Sequence, residues 1–280
     1  MKRVITLLAV VCFALNGFAQ DSTSAPRDTT AKPDNDTIRV GNIIIIRSGK
    51  DRNRSYYDVH EKHFKYGNQN ITTNWMIIDL GVNQVDDKTN YSQSIANGFL
   101  PAGANENWFE QRGLKSTNIN IWIFMQRLNL VKHVVNFKYG IGLELNNYKY
   151  TEPIRFQETN QPLVLLESID YEKNKLALDY ITVPLMLNFN FTPDSHTHGF
   201  GISAGISGGY LYSSRQKTIG AGMGLKKEHD DFNIRDFKLA YIAEISLGYV
   251  KLYGTYATES MFKDGLNQTP YSFGLRLSNW

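Results

Sequence analysis

The side chains that could do chemistry in this chain sit at every second position of apolar runs. Asp79, Lys138, Glu144, Glu244, Lys251 and Arg276 each place a charge in such a run. Alternate residues of a strand share a face, so all six would project away from the apolar row. If that face is enclosed, the three carboxylates and three cations must pair, because a lone buried charge is too costly to keep. The chemistry implied is a salt-bridged network filling an interior.

Motifs that usually signal catalysis or ligation fail on context. Gly201-Ile202-Ser203-Ala204-Gly205 and Gly205-Ile206-Ser207-Gly208-Gly209 both fit G-x-S-x-G. A nucleophile elbow needs a strand-turn-helix setting, whereas here small residues simply occupy alternate positions. His60-Glu61-Lys62-His63 lacks the second histidine four positions on, where Phe64 stands. Gly220, Gly222 and Gly224 have neither the spacing nor the following helix of a phosphate cradle. Asp194, His196 and His198 could share a face of an extended turn, but have no cysteine or further histidine nearby. The expectation is therefore no catalytic, cofactor-binding or metal-binding residue and no cofactor.

Charged positions inside apolar runs need strands to place them, and the clearest is Val135 to Asn147. Val135, Phe137, Tyr139, Ile141, Leu143 and Leu145 alternate with Asn136, Lys138, Gly140, Gly142, Glu144 and Asn146. At roughly 3.3 Å per residue the run is about 40 Å long, suited to crossing a bilayer at a tilt. Seven further runs share the pattern. They are Trp75 to Asn83, Thr117 to Arg127, Leu176 to Phe191, Gly199 to Tyr212, Lys238 to Tyr249, Val250 to Thr258 and Tyr271 to Asn279. In the second of these, Ile119, Ile121, Ile123 and Met125 form the expected lipid row. On the opposite face of the central strand, Gly142→Ser is expected to be mild, whereas Ile141→Arg should impair assembly.

Composition agrees with strands and excludes other classes. The 280 residues suit one domain with an extension, and a mean hydropathy of -0.35 is too low for a helical membrane protein. A barrel needs an apolar residue only at alternate positions. Net charge is +3, and loss of Lys2 and Arg3 with a signal peptide would leave about +1. Nothing in that balance suggests a nucleic acid partner.

Residues 1–19 read as a signal peptide: Lys2 and Arg3, an apolar core from Val4 to Leu15, and Gly17-Phe18-Ala19 as the cleavage site. The single cysteine, Cys12, lies inside it, so the mature protein should carry no thiol or lipid anchor. Residues 20–36 have little to bury and two prolines, as expected of a disordered tether. Their Asp-Ser/Thr pairs at Asp21, Asp28 and Asp36 resemble a short O-glycosylation signal. Residues 37–73 read as a periplasmic segment opening with a short strand across Thr37 to Arg47. Residues 74–280 form the barrel.

The connections alternate in length. Long ones, Gln84 to Ser116, Tyr148 to Lys175 and Ser213 to Phe237, intervene between short ones, Leu128 to Val134, Thr192 to His198 and Tyr249-Val250, and Glu259 to Pro270 is of medium length. An even strand number with that alternation predicts an all-β, eight-stranded antiparallel transmembrane barrel, with long extracellular loops, short periplasmic turns and both termini periplasmic. A soluble lipocalin-like barrel would carry Lys and Glu on its polar face. Gly201, Ser203, Gly205, Ser207 and Gly209 instead suit a crowded narrow lumen. Aromatics at strand ends, Trp75, Phe191, Tyr212, Tyr249, Tyr256 and Tyr271, suit interfacial girdles.

Several segments carry a family resemblance: Asp79-Leu80-Gly81-Val82-Asn83, Gly140 to Tyr148, Tyr180-Ile181-Thr182-Val183-Pro184-Leu185, Ala204 to Tyr210 and Leu252-Tyr253-Gly254-Thr255-Tyr256. Over roughly Trp75 to Trp280 the chain resembles the PorT-like outer-membrane β-barrel family. The resemblance implies a cell outer-membrane location and, for some members, a role in type IX secretion and gliding. It supplies no catalytic residue. The last strand approximates the barrel-assembly signal in Ser272 and Gly274, with Leu277 in place of an aromatic and Trp280 one position out of phase.

Two classes of function follow. The first is a non-enzymatic membrane scaffold, surface-interaction or secretion-accessory protein. Its partners would be outer-membrane lipids and lipopolysaccharide, the barrel-assembly machinery through the last strand, and secretion or surface proteins. The alternative is a small lipid-modifying enzyme acting on lipid A acyl chains, or a narrow pore. An enzyme should gather a Ser, a His and a carboxylate at one rim, and no run carries a His in its interior. The loops offer apolar groups of their own: Trp108-Phe109, Leu163 to Leu166, and the Gly-rich Ile219 to Leu225.

Overall fold

The computed structural model describes residues 36–40, 43–47, 70–157, 161–193, 199–220, 222 and 224–278. The expected signal peptide, most of the tether, His60 to His63, Asp194, His196, His198 and Trp280 lie outside them. The chain divides into two compact units, Met1–Gly67 and Asn68–Trp280. In the first, β1 (Asp36–Val40) pairs antiparallel with β2 (Ile43–Arg47). Asp36, the end of the expected tether, is thus the first residue of a strand.

The second unit is a closed ring of eight antiparallel strands. They are β3 (Ile71–Asp87), β4 (Thr117–Val131), β5 (Val135–Lys149), β8 (Tyr171–Asn190), β9 (Phe200–Gly220), β11 (Phe237–Leu247), β12 (Val250–Ala257) and β13 (Gln268–Leu277). Each pairs with its neighbour in that order, and β13 returns to β3 to close the ring. Three short strands complete the set: β6 (Ile154–Phe156) pairs with β7 (Val164–Leu166), and β10 (Leu225–His229) extends β9 beyond the ring.

The strands outrun the apolar runs. β3 begins at Ile71 rather than near residue 74, β8 begins at Tyr171, and β9 continues to Gly220. Consequently much of the expected third loop is a β9–β10 hairpin, with Gly220, Gly222 and Gly224 at its tip. These extensions lack a lipid-facing apolar row, so hydrophobic alternation cannot reveal them.

The wall's outward face is apolar along all eight strands, with Leu80, Val183, Ile206, Ile245, Leu252 and Leu275 among its exposed side chains. Aromatic contacts mark both edges. Trp75–Phe124 at 5.8 Å and Phe191–Phe200 at 5.4 Å lie at the short-turn end. Tyr210–Phe237 at 5.2 Å and Tyr256–Tyr271 at 6.4 Å lie toward the long-loop end. Ten residues of β9 separate Phe200 from Tyr210, about 33 Å of strand, which a tilt near 40° reduces to about 25 Å, the height of a membrane barrel's apolar band.

Alternation breaks phase at bulges, in β9 at Tyr212 opposite Asp179 and Tyr180, and in β4. In β4 the register against β5 shifts between Trp122 and Phe124, a bulge that places two residues where one would fit. Beyond it Met125 points inward and is 1% exposed, not on the lipid row as the sequence suggests. Met76, opposite the bulge on β3, has φ 53°, and Ile77 beyond it is likewise buried.

Candidate functional site

The lumen holds the six charged residues singled out by their spacing, each no more than 6% exposed. Their geometry forms two clusters. In the lower one, nearer the short turns, Arg276 is the centre. Its Nε and Nη2 donate to the two oxygens of Asp79, each at 2.7 Å, and its Nη1 donates to Glu244 Oε2 at 2.6 Å. Trp122 Nε1 adds a bond to Asp79 Oδ2 at 2.7 Å, and Asn120 Nδ2 another at 3.1 Å. Lys138 Nζ donates to Glu244 Oε1 at 2.5 Å and to Ser203 Oγ at 3.1 Å.

Lys251 lies directly across from Arg276 but bonds to the Oγ and backbone oxygen of Ser278. The guanidinium of Arg276 also sits 5.2 Å from the Trp122 ring and 5.8 Å from the Tyr253 ring. Such stacking suits Arg, whose planar cation is weakly hydrated.

Glu144 belongs to an upper cluster, joined to the lower one through Asn120, Asn118 and Asn146. It accepts from Lys238, from Asn146 Nδ2 at 3.0 Å and from Thr182 Oγ1 at 3.1 Å. Lys238 was missed among the candidate residues because it stands at the first turn of its run, where alternation is barely established. Above Glu144, Asn118 and Asn83 both donate to Asn146 Oδ1, and Tyr253 Oη donates to Asn118. Gly81 makes room for that tyrosine: a Cβ there would lie 2.4 Å from Tyr253 Oη. A small apolar patch of Ile77, Trp122, Met125, Met186 and Ile242 completes the lumen filling.

At the long-loop end the four connections meet in one hydrophobic core. Leu100 and Phe109 come from the first, Ile154, Phe156 and Val164 from the second, Phe232 and Ile234 from the third, and Met261, Phe262 and Leu266 from the fourth. Phe156 lies at its middle, with ring centroids 5.6 Å from Tyr150, 5.8 Å from Phe262 and 6.3 Å from Phe232. The apolar loop residues Phe109, Leu163 and Val164 are therefore packed inward. Helix α1 (Tyr91–Ala96) is fixed to the barrel rim by Tyr91 Oη, which donates to Asp87 Oδ2 at 2.6 Å. Burial first, and then that carboxylate, drive the Tyr91 hydroxyl well above its ordinary pKa.

A crevice of ≈ 470 Å³ opens where β9 and β11 begin to pair, lined by Tyr180, Gly208, Lys238, Leu239, Ser260 and Met261 among others. Of the two histidines among the described residues, His133 lies in a short turn and His229 on β10, and neither lines it. Among the described residues no three His, Cys, Asp or Glu side chains converge as a metal site would require.

An eight-stranded antiparallel ring with an apolar exterior, two aromatic bands and a charge-paired lumen defines an outer-membrane type of β-barrel. The chain matches the family model described as outer membrane protein beta-barrel domain over residues 68–267, and it belongs to that family. None of the curated proteins compared with it matches the chain.

Proposed function

We propose that this protein is a non-enzymatic scaffold of the outer membrane, with both termini in the periplasm and the three long connections and the medium one outside. It would present its packed loop cap as a docking platform for secretion or surface proteins, the role of a PorT-like accessory. One observation carries this reading: the three long connections and the medium one share a single buried core over a lumen filled by paired charges. Eight strands leave an interior just wide enough for side chains. Such a molecule offers a firm surface rather than a passage. Loops of this length are usually functional or disordered, and a shared core argues against disorder.

The lipid-modifying alternative draws on the crevice, which holds Ser260 and Glu259 beside Lys238. A base to activate Ser260 is the part it needs, and the carboxylate of Glu259 is instead 3.5 Å from Arg235 Nη1.

The two readings separate in whole cells. Lipid A from strains with and without the gene should have the same acyl pattern by mass spectrometry. Photo-crosslinkers placed at exposed cap positions such as Leu114 should capture a discrete protein partner. A changed acyl pattern would replace the scaffold reading with the enzymatic one.

A further inference from the structure

Beyond the upper aromatic band, four lysines face one another across four neighbouring strands. Lys149 of β5 is in register with Lys175 of β8, Lys175 with Lys217 of β9, and Lys217 with Lys227 of β10. Directly opposed residues share a face, with Cα atoms roughly 4.5 to 5.5 Å apart. The row is thus a continuous ladder of like charge. It points outward, because Tyr148, Leu176, Gln216 and Thr218, the neighbours of these lysines along the strands, are buried on the opposite face.

More cations adjoin the ladder. Lys173 and Arg215 lie within electrostatic reach of Lys175 and Lys217, and Arg112 and Lys115 within reach of Lys149. Among the described residues no carboxylate forms an ion pair with any of the four lysines. Lys175 Nζ donates to the neutral Asn147 Oδ1 at 2.7 Å, and Asp179, which lies within electrostatic reach of Lys175 and Lys217, is engaged by Arg215. Like charges placed directly opposite destabilise a sheet. Three such pairs in succession, two of them joining the half-buried Lys175, are a cost that a bound anion would offset.

Position identifies the anion. Lys217 is five residues past Tyr212 on β9, about 16 Å along the strand and about 12 Å above the aromatic edge once tilt is allowed for. A lysine stem about 6 Å long lets each ammonium reach down to the headgroup layer, which is itself only about 5 to 7 Å deep. Below the ladder the same strands carry the apolar row of Val183, Leu185, Ile202 and Ile206, ready to lie along acyl chains. We propose that the Lys149–Lys175–Lys217–Lys227 ladder binds the phosphate groups of the outer-leaflet glycolipid surrounding the barrel. Ammonium groups spaced along a sheet suit a phosphorylated sugar, each phosphate being met by charge-assisted hydrogen bonds. The inference rests on the outward orientation of the long loops proposed above.

The test uses the full-length protein in zwitterionic detergent micelles, with three probes: bisphosphorylated lipid A, its dephosphorylated counterpart and inorganic polyphosphate. Lipid A should bind at least about tenfold more tightly than the dephosphorylated form, and the Lys175→Gln/Lys217→Gln variant should lose at least about tenfold of that binding. Lys263→Gln, a change at a loop lysine paired with Asp231, should lose none. Without lipid the double variant should melt no lower than the parent, since it removes repulsion. Undiminished lipid A binding by the double variant, or equal binding of both lipids, would overturn the proposal. Polyphosphate binding as tight as lipid A, with the same lysine dependence, would also overturn it in favour of a soluble polyanion. Orientation is read separately by labelling Lys227→Cys in intact cells with a membrane-impermeant maleimide. A silent cysteine sinks the orientation, whereas a labelled one without lipid binding sinks this inference alone.

Discussion

Arg276 and Asp79 stand directly opposite each other where the last strand meets the first, and two hydrogen bonds of 2.7 Å join them across that closing seam. Among the described residues the pair is the most enclosed, with side chains 1% and 0% exposed. Removing Arg276 leaves Asp79 charged, desolvated and without its cation, and removing Asp79 leaves Arg276 with Glu244 alone, a loss of up to roughly 3 to 5 kcal/mol. Arg276→Ala and Asp79→Ala should each lower the urea midpoint of folding in micelles, read by heat-modifiable gel mobility. The double variant should cost clearly less than the two single losses added together. Strict additivity would mean that the contact contributes nothing to closure.

Glu244 ties the seam to the opposite wall by accepting from Arg276 and from Lys138. With the patch around Trp122 and the asparagines above it, these pairs fill the middle of the lumen with buried side chains. Purified protein in planar bilayers should show no stable large conductance. A steady channel current from the unaltered protein would show that these pairs open and that the molecule is a pore.

Position 142 revises an expectation drawn from alternation alone. Gly142 does face inward, but Trp122 lies across it, and a Cβ there would come within 2.7 Å of both Ile121 O and Trp122 Cε3. Gly142→Ser should therefore be damaging rather than mild. Ile141→Arg places a cation on the lipid face at a cost of roughly 2 to 4 kcal/mol. The two defects have different cures. Trp122→Ala removes the ring contact but not the one with the Ile121 carbonyl, so it should recover part of the folding lost by Gly142→Ser in the gel assay and none of that lost by Ile141→Arg; no recovery at all would assign the obstruction to the backbone.

Much of the barrel is written into period-two alternation, because lipid on one face and a narrow lumen on the other reward the same parity along a whole strand. That is why Asp79, Lys138, Glu144, Glu244, Lys251 and Arg276 could be assigned to one interior from spacing alone. Their partners could not be. Which carboxylate meets which cation depends on register between strands far apart in sequence, such as Lys138 with Glu244, 106 residues on. Met125 was hidden by a bulge, which shifts parity without any residue type to announce it. The Lys149, Lys175, Lys217 and Lys227 row was hidden for the same reason, since each lysine lies on a separate strand. The cap was least legible, because its core draws a few apolar residues from each of four unpatterned loops.

That shared core makes the loops interdependent. Phe156 is 2% exposed and touches the rings of Tyr150, Phe232 and Phe262, which come from three different connections or strand ends. Truncating a buried phenylalanine leaves a cavity and costs about 3 to 5 kcal/mol. The barrel wall below it has its own hydrogen-bonded ring and would not share that loss. Phe156→Ala should therefore loosen the cap as a unit while the barrel remains folded. Limited proteolysis should reveal new cleavage in the first and fourth connections as well as the second, with heat-modifiable mobility retained. Replacing residues 88–116 by a short turn should produce the same pattern, since it withdraws Leu100, Ala104 and Phe109 from the core. Cleavage confined to the altered loop would show that the connections fold separately, and would remove the packed platform on which the scaffold reading stands.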